Sequence, residues 1–240
     1  MNDRERFRAV MHYRPFDRGI IQDFSYWDET IEAWHYYGLP RHVDRSNAEE
    51  FFGFDPMWDE VSAAVMLCPE FPTEVLDEDE QFQVVRCADG TTVRKMRKLG
   101  SIPEHLDHLL TDRASWEEHY KWRLDPDRPE RLGDDIDQRL AAVADDRRTF
   151  PLRTACGSIF GQLRNWMGLE GVSYIQYDDP ELFAEMIRTI GDCIVGTLER
   201  LLARAAAAGV SFDYASMWED MAYSHGPLLG VPAFEAHCVP

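Results

Sequence analysis

Apolar residues after position 180 recur every three or four places. Leu182, Phe183, Met186, Ile187, Ile190, Ile194, Leu198, Leu201 and Leu202 form one stripe, which predicts a long amphipathic helix over 181–208 with that side buried. Gly209 follows as its C-cap. Near the start, Phe7, Val10 and Met11 share one side of a short helix over 3–13 that Pro15 stops. The run 19–26 is apolar enough to predict a buried strand, whose end delivers Asp23, Tyr26 and Trp27 into a loop. Helical patterning resumes over 28–37 and again over 46–52, where Ser46 and Glu49 have capping-box spacing.

Period-two alternation dominates residues 61–98. Two β-favouring runs, 82–86 and 91–96, flank Ala88-Asp89-Gly90, and Asp-Gly in that position is a hairpin signal. An antiparallel excursion is expected there. Residues 103–131 are polar and read as a surface connection with a short helix near 115–122. A helix over 134–144 then leads to a strand over 150–155, the turn Cys156-Gly157-Ser158, and a helix over 162–167. After the long helix, a strand over 210–214 ends in Ser216-Met217-Trp218-Glu219-Asp220, and a last helix starts at Pro232.

Strands alternating with helices, with polar residues at strand exits, predict a parallel α/β sheet. No glycine-rich phosphate turn follows the first strand, which favours a (β/α)8 TIM barrel over a dinucleotide-binding sheet. Only about three core strands are legible, where a barrel needs about eight. The chain therefore reads as one incomplete barrel domain over residues 1–240 with a hairpin excursion near 61–98. Its open edge predicts association, for instance as a homo-oligomer.

Charge narrows the partners. The 240 residues hold 44 Asp and Glu against 25 Lys and Arg, a formal net charge of −19. With no basic cluster to offset it, nucleic acid and anionic membrane surfaces are not expected partners. The N-terminal residues lack the apolar stretch of a secretory signal, and the long helix carries Arg188, Asp192, Glu199, Arg200 and Arg204. A cytoplasmic location is the expectation. Cys68, Cys87, Cys156, Cys193 and Cys238 are scattered and read as free thiols.

Candidate chemistry sits at the strand exits. Glu219 and Asp220 beside Trp218 suit proton transfer or substrate orientation. Asp23, with Tyr26 and Trp27 as pocket wall, is a similar group. His225 follows the paired acids as a candidate acid, base or ligand, with a plain loop histidine as the blander reading. His237 and Cys238 are adjacent, which puts them on different sides of a helix, so no metal site is assigned. Ser158 lacks the nucleophile-elbow pattern of a serine hydrolase.

The runs CGSIFGQLRNWMGLEGVSYIQYDDPELFAEMI (156–187), FDYASMWEDMAYSHGPLLGVPAFEAHCVP (212–240) and RERFRAVMHYRPFDRG (4–19) together resemble the uroporphyrinogen decarboxylase superfamily. That resemblance implies a TIM barrel, of which this chain would form the N-terminal two-thirds. It implies either decarboxylation in porphyrin and haem biosynthesis, or methyl transfer from methylated small molecules with a corrinoid protein as partner. The arginine-rich loop with which the decarboxylases clamp carboxylates is replaced here by Gln22-Asp23-Phe24-Ser25-Tyr26-Trp27-Asp28. A family tyrosine aligns with Asn165, and the family's aspartate matches the Asp55 and Asp59 region only loosely. Small-molecule methyl transfer is therefore the expected activity, and a non-catalytic binding or assembly protein on the same fold is the alternative from another class. The zinc of the methyltransferase branch would take ligands beyond Pro240. By resemblance and position together, Asp220, Glu219 and Asp23 are the candidate catalytic residues. Tyr26, Trp27, Gly157, Ser158, Phe160, Trp218 and His225 are the candidate substrate contacts.

Overall fold

Three parallel strands and a four-stranded antiparallel meander, joined and flanked by helices, make up a mixed α/β architecture. The computed structural model describes residues 1–23, 26–55, 58–97, 100, 102–144 and 147–239. In chain order the helices are α1 (Asp3–Met11), α2 (Asp28–Tyr36), α3 (Ala48–Phe52), α4 (Arg113–Ser115), α5 (Ile136–Ala142), α6 (Phe160–Asp178), α7 (Pro180–Ala207) and α8 (Val231–His237). The strands are β1 (Asp59–Glu60), β2 (Glu74–Glu78), β3 (Phe82–Arg86), β4 (Thr91–Met96), β5 (Glu104–His108), β6 (Leu152–Ala155), β7 (Tyr214–Ser216), β8 (Ala222–Tyr223) and β9 (Gly226–Pro227).

The parallel sheet has the order β1-β6-β7. Asp59 lies opposite Leu152 and Arg153 opposite Tyr214, so Leu152, Thr154 and Val61 share one face while Glu60, Arg153 and Tyr214 share the other. The first face packs on α5 and α7 through Leu140, Leu152, Leu201 and Ala205. Each large apolar side chain withdrawn there contributes about 2 kcal/mol. A second cluster, around Trp116, Tyr120, Phe160, Trp166, Phe183 and Ile190, joins α6 and α7 to the segment below the meander. Among the described residues the three strands do not close into a cylinder, so the expected barrel is not seen as such.

The long stripe forms α7, and Gly209 follows it in the left-handed region at φ 69°, the conformation expected of a C-cap glycine. The hairpin also forms, with Phe82 opposite Met96 and Arg86 opposite Thr92. Its Gly90 has φ 87°, and a Cβ there would fall 2.5 Å from the Tyr120 hydroxyl, so both conformation and space require glycine.

Several expectations are corrected. Residues 19–23 form no strand: Ile21 donates its N–H to Asp55 Oδ2 at 2.9 Å and accepts the Asp55 N–H at 2.8 Å. A side chain that takes the N–H ends a ladder before it starts. Ile21 is half exposed, and Phe24 and Ser25 lie outside the described residues. Strand β7 starts at Tyr214 rather than at residue 210, because Val210 N–H still bonds to Ala205 of α7 and pairing begins with Asp213 N–H to the Leu152 carbonyl. The polar stretch 103–131 is no mere connection. It adds β5 to the meander and buries Trp116 and Tyr120 completely. Ser46 does not make a capping box, since its hydroxyl goes to Asp44 Oδ1 at 2.5 Å and α3 starts at Ala48.

Candidate functional site

Neighbouring parallel strands must end side by side, and here the exits of β6 and β7 run on together. Cys156 donates its N–H to Ser216 O at 2.7 Å, and Trp218 donates its own to Gly157 O at 3.0 Å. Gly157 turns the chain at φ 69°, backed by Val65 and Met66, into the start of α6. That helix has Ile159 as N-cap, a side chain unable to accept the free N–H groups of a first turn. Glu219 takes over from the other loop. Its Oε2 accepts the Ile159 N–H at 2.7 Å and the Ser158 hydroxyl at 3.1 Å, while Oε1 accepts the Gly161 N–H at 2.5 Å. A carboxylate at a helix N-terminus is favoured both by the dipole and by the free donors. Gly161 allows the approach, for a Cβ there would stand 2.5 Å from Ser158 Oγ and 3.2 Å from Glu219 Oε1.

Asp220 is more exposed and faces Arg164 of α6, with Oδ2 3.3 Å from the guanidinium. The structure thus gathers Gly157, Ser158, Glu219 and Asp220 around the first two turns of α6, with Trp218 largely exposed beside them. Phe160 is different: it is completely buried in the large core, where its ring faces protein rather than a ligand. Tyr26 packs with Ile31, Val43 and Ala48 in a small separate cluster, and its pKa is raised by burial and then by the charges of Asp23 and Glu49. Asp23 is exposed, and Trp27 is a half-exposed residue at the start of α2. His225 is exposed in the turn between β8 and β9, its Nδ1 2.9 Å from Ser224 Oγ.

Two groups escape a reading of the sequence. Arg164 and Gly161 are invisible as partners of the 218–220 loop because only the fold brings them within reach. The second group lies on the sheet face opposite the one that packs on α5 and α7, where Tyr214 also meets Phe7 of α1 with ring centroids 4.7 Å apart. Arg153 Nε donates to Glu60 Oε2 at 2.5 Å, and its guanidinium lies 3.9 Å over the ring of Trp58, beside Tyr214. Burial raises the Tyr214 pKa, and Arg153 opposes it. A charge between Leu152 and Thr154 in a predicted strand is the signal that marks this polar face.

Among the described residues no three His, Cys, Asp or Glu side chains gather as ligands for a metal ion. His237 packs against Phe183, ring centroids 5.6 Å apart, and burial followed by the charge of Glu219 pushes the Cys238 thiol up to about 11. These residues do not fit a zinc centre, whose thiolate ligands have lowered pKa values. No described helix is long and apolar enough to cross a membrane. Comparison with known proteins adds no relative: no family model, no curated protein and no solved structure matches the chain.

Proposed function

We propose that this chain belongs to an enzyme of the uroporphyrinogen decarboxylase type that transfers a methyl group between a small molecule and a corrinoid protein, built on a TIM barrel of which it supplies the N-terminal part. One observation carries the reading. The loops after two adjacent parallel strands are fastened to each other by Glu219, at the carboxyl ends where α/β proteins place their ligands. In this reading Trp218 supplies an apolar wall, whereas the space beside Gly157 is taken by Met66 and Val65 rather than by a ligand. Asp220 and Arg164 hold the polar end of the substrate. Glu219 is a positioning residue, because its carboxylate is fully engaged by Ser158, Ile159 and Gly161.

That engagement also favours a second reading, a binding protein that keeps the fold without the chemistry, since Glu219 and Asp220 turn to different partners. Incubating the chain with cob(I)alamin and a panel of N-, O- and S-methylated small molecules separates the two. The enzyme reading expects methylcobalamin to accumulate above the protein-free rate, and less of it with Trp218→Ala. Consumption of uroporphyrinogen instead would select the decarboxylase, and inactivity in both assays would leave the binding protein.

A further inference from the structure

His105 and His108 stand three residues apart on β5, a spacing that sends side chains to opposite faces of a regular strand. A bulge in β5, where its register against β4 shifts between Thr92 and Val93, cancels that. His105 lies opposite Val93, Asp107 opposite Thr92 and His108 opposite Thr91, so Leu106 has no residue across from it. Thr91 and Val93 share the buried face of β4, and the bulge thereby brings both imidazoles to one face. The rings stack with centroids 5.5 Å apart and planes 9° from parallel.

Opposite them α6 breaks at Gly168, where φ is 74° and a Cβ would lie 2.8 Å from His108 Nε2. Between the two irregularities lies a cavity of about 260 Å³ lined by His105, His108, Arg164, Asn165, Gly168 and Leu169. His108 Nδ1 is buried and has no hydrogen-bond partner among the described residues. The Arg164 side chain is only 19% exposed, yet its contacts with Asp220 and Asn165 are 3.3–3.4 Å, long for bonds from a guanidinium. A residue with a buried, unpartnered ring nitrogen and a loosely held cation thus line one cavity, in a chain of formal net charge −19.

We propose that this cavity binds the oxyanion of a small molecule, a carboxylate or a phosphate, with Arg164 supplying the charge and His105, His108 and Asn165 further donors. Asp220 competes with the incoming anion for the guanidinium. The proposal shares Arg164 with the methyl-transfer reading but needs no methyl transfer, because it rests on the bulge, the helix break, the unpartnered His108 nitrogen and Arg164.

Titration of the full chain with inorganic phosphate, and separately with acetate, while following the histidine ring Cε1–Hε1 NMR signals, tests it. Saturable shifts of His105 and His108 are expected with one anion or both, leaving His12, His35, His42, His119, His225 and His237 in place. A response to phosphate alone assigns a phosphate group, and one to acetate alone a carboxylate. Arg164→Gln weakens the affinity by about tenfold or more, and Asp220→Asn tightens it. His105→Gln changes an exposed residue and also weakens binding, so the test survives if Arg164→Gln does not fold. Absence of saturable shifts with either anion, equal shifts at all eight histidines, or an affinity unchanged in His105→Gln would overturn the proposal.

Discussion

Glu219 caps the helix whose first turn holds Gly161, accepting the Gly161 N–H at 2.5 Å from a loop 58 residues further along the chain. No residue local to α6 performs that task, so the helix start depends on the exit of β7. Glu219→Ala is expected to lower stability by about 1–2 kcal/mol, as for the loss of an N-cap with its favourable charge. Glu219→Gln keeps an acceptor without the charge and falls between. Thermal unfolding ranks the three proteins, and an unchanged Glu219→Ala would contradict the cap.

Gly157→Ala meets two obstacles: a backbone at φ 69°, and Met66, whose terminal methyl group lies where the new Cβ would stand. A loss of about 1–3 kcal/mol is expected. Met66→Ala in the same chain relieves the collision but not the dihedral, so the double variant recovers only part of the loss relative to Met66→Ala alone. Full additivity in urea unfolding would show that the two residues do not touch.

Acid unfolding is expected to draw on Asp55. The Arg18 hydrogen bond, opposed by burial and joined by the Ile21 N–H, lowers its pKa from the ordinary 3.8 to about 2. A depressed carboxylate contributes stability above its unfolded pKa and loses it as pH falls through the folded one. The window runs from about pH 4 down to about pH 2. Urea midpoints measured across it should fall less steeply for Asp55→Asn than for the native chain. Parallel curves would remove Asp55 from the account.

The Asp213 side chain is fully buried and meets Arg4 at 3.0 Å, Arg8 at 2.7 Å, Arg148 at 3.4 Å and the Leu152 N–H at 2.9 Å. Burial pushes its carboxyl up, but the Leu152 N–H and Arg4 outweigh burial and leave it below the usual range. Removing the charge strands buried guanidinium groups, so Asp213→Asn is expected to cost about 3–5 kcal/mol. Loss of under about 1 kcal/mol by chemical unfolding would mean that the arginines find other partners.

Legibility follows the physics of each segment. α7 is readable because its stripe is continuous from Leu182 to Leu202, about six turns, and the hairpin because Asp89-Gly90 must turn. β5 is hidden because Glu-His-Leu-Asp-His carries no apolar alternation and lies on the rim of the meander. The apolar run at 19–23 misleads because Asp55, 34 residues away from Ile21, satisfies the backbone that a strand would pair. For the site, the residue types at 157, 158, 219 and 220 are legible. Their directions are not, since Glu219 could have faced solvent and instead completes a helix supplied by the preceding strand.

Residue-resolved hydrogen exchange at Ile159 and Gly161 tests the joint between the two loops most directly. Both amides should be protected in the native chain and lose protection in Glu219→Ala, while Asp213 and Cys156, donors between β6 and β7, keep theirs. Rapid exchange of Ile159 and Gly161 in the native chain would contradict the account, because the two strand exits would then not be fastened together.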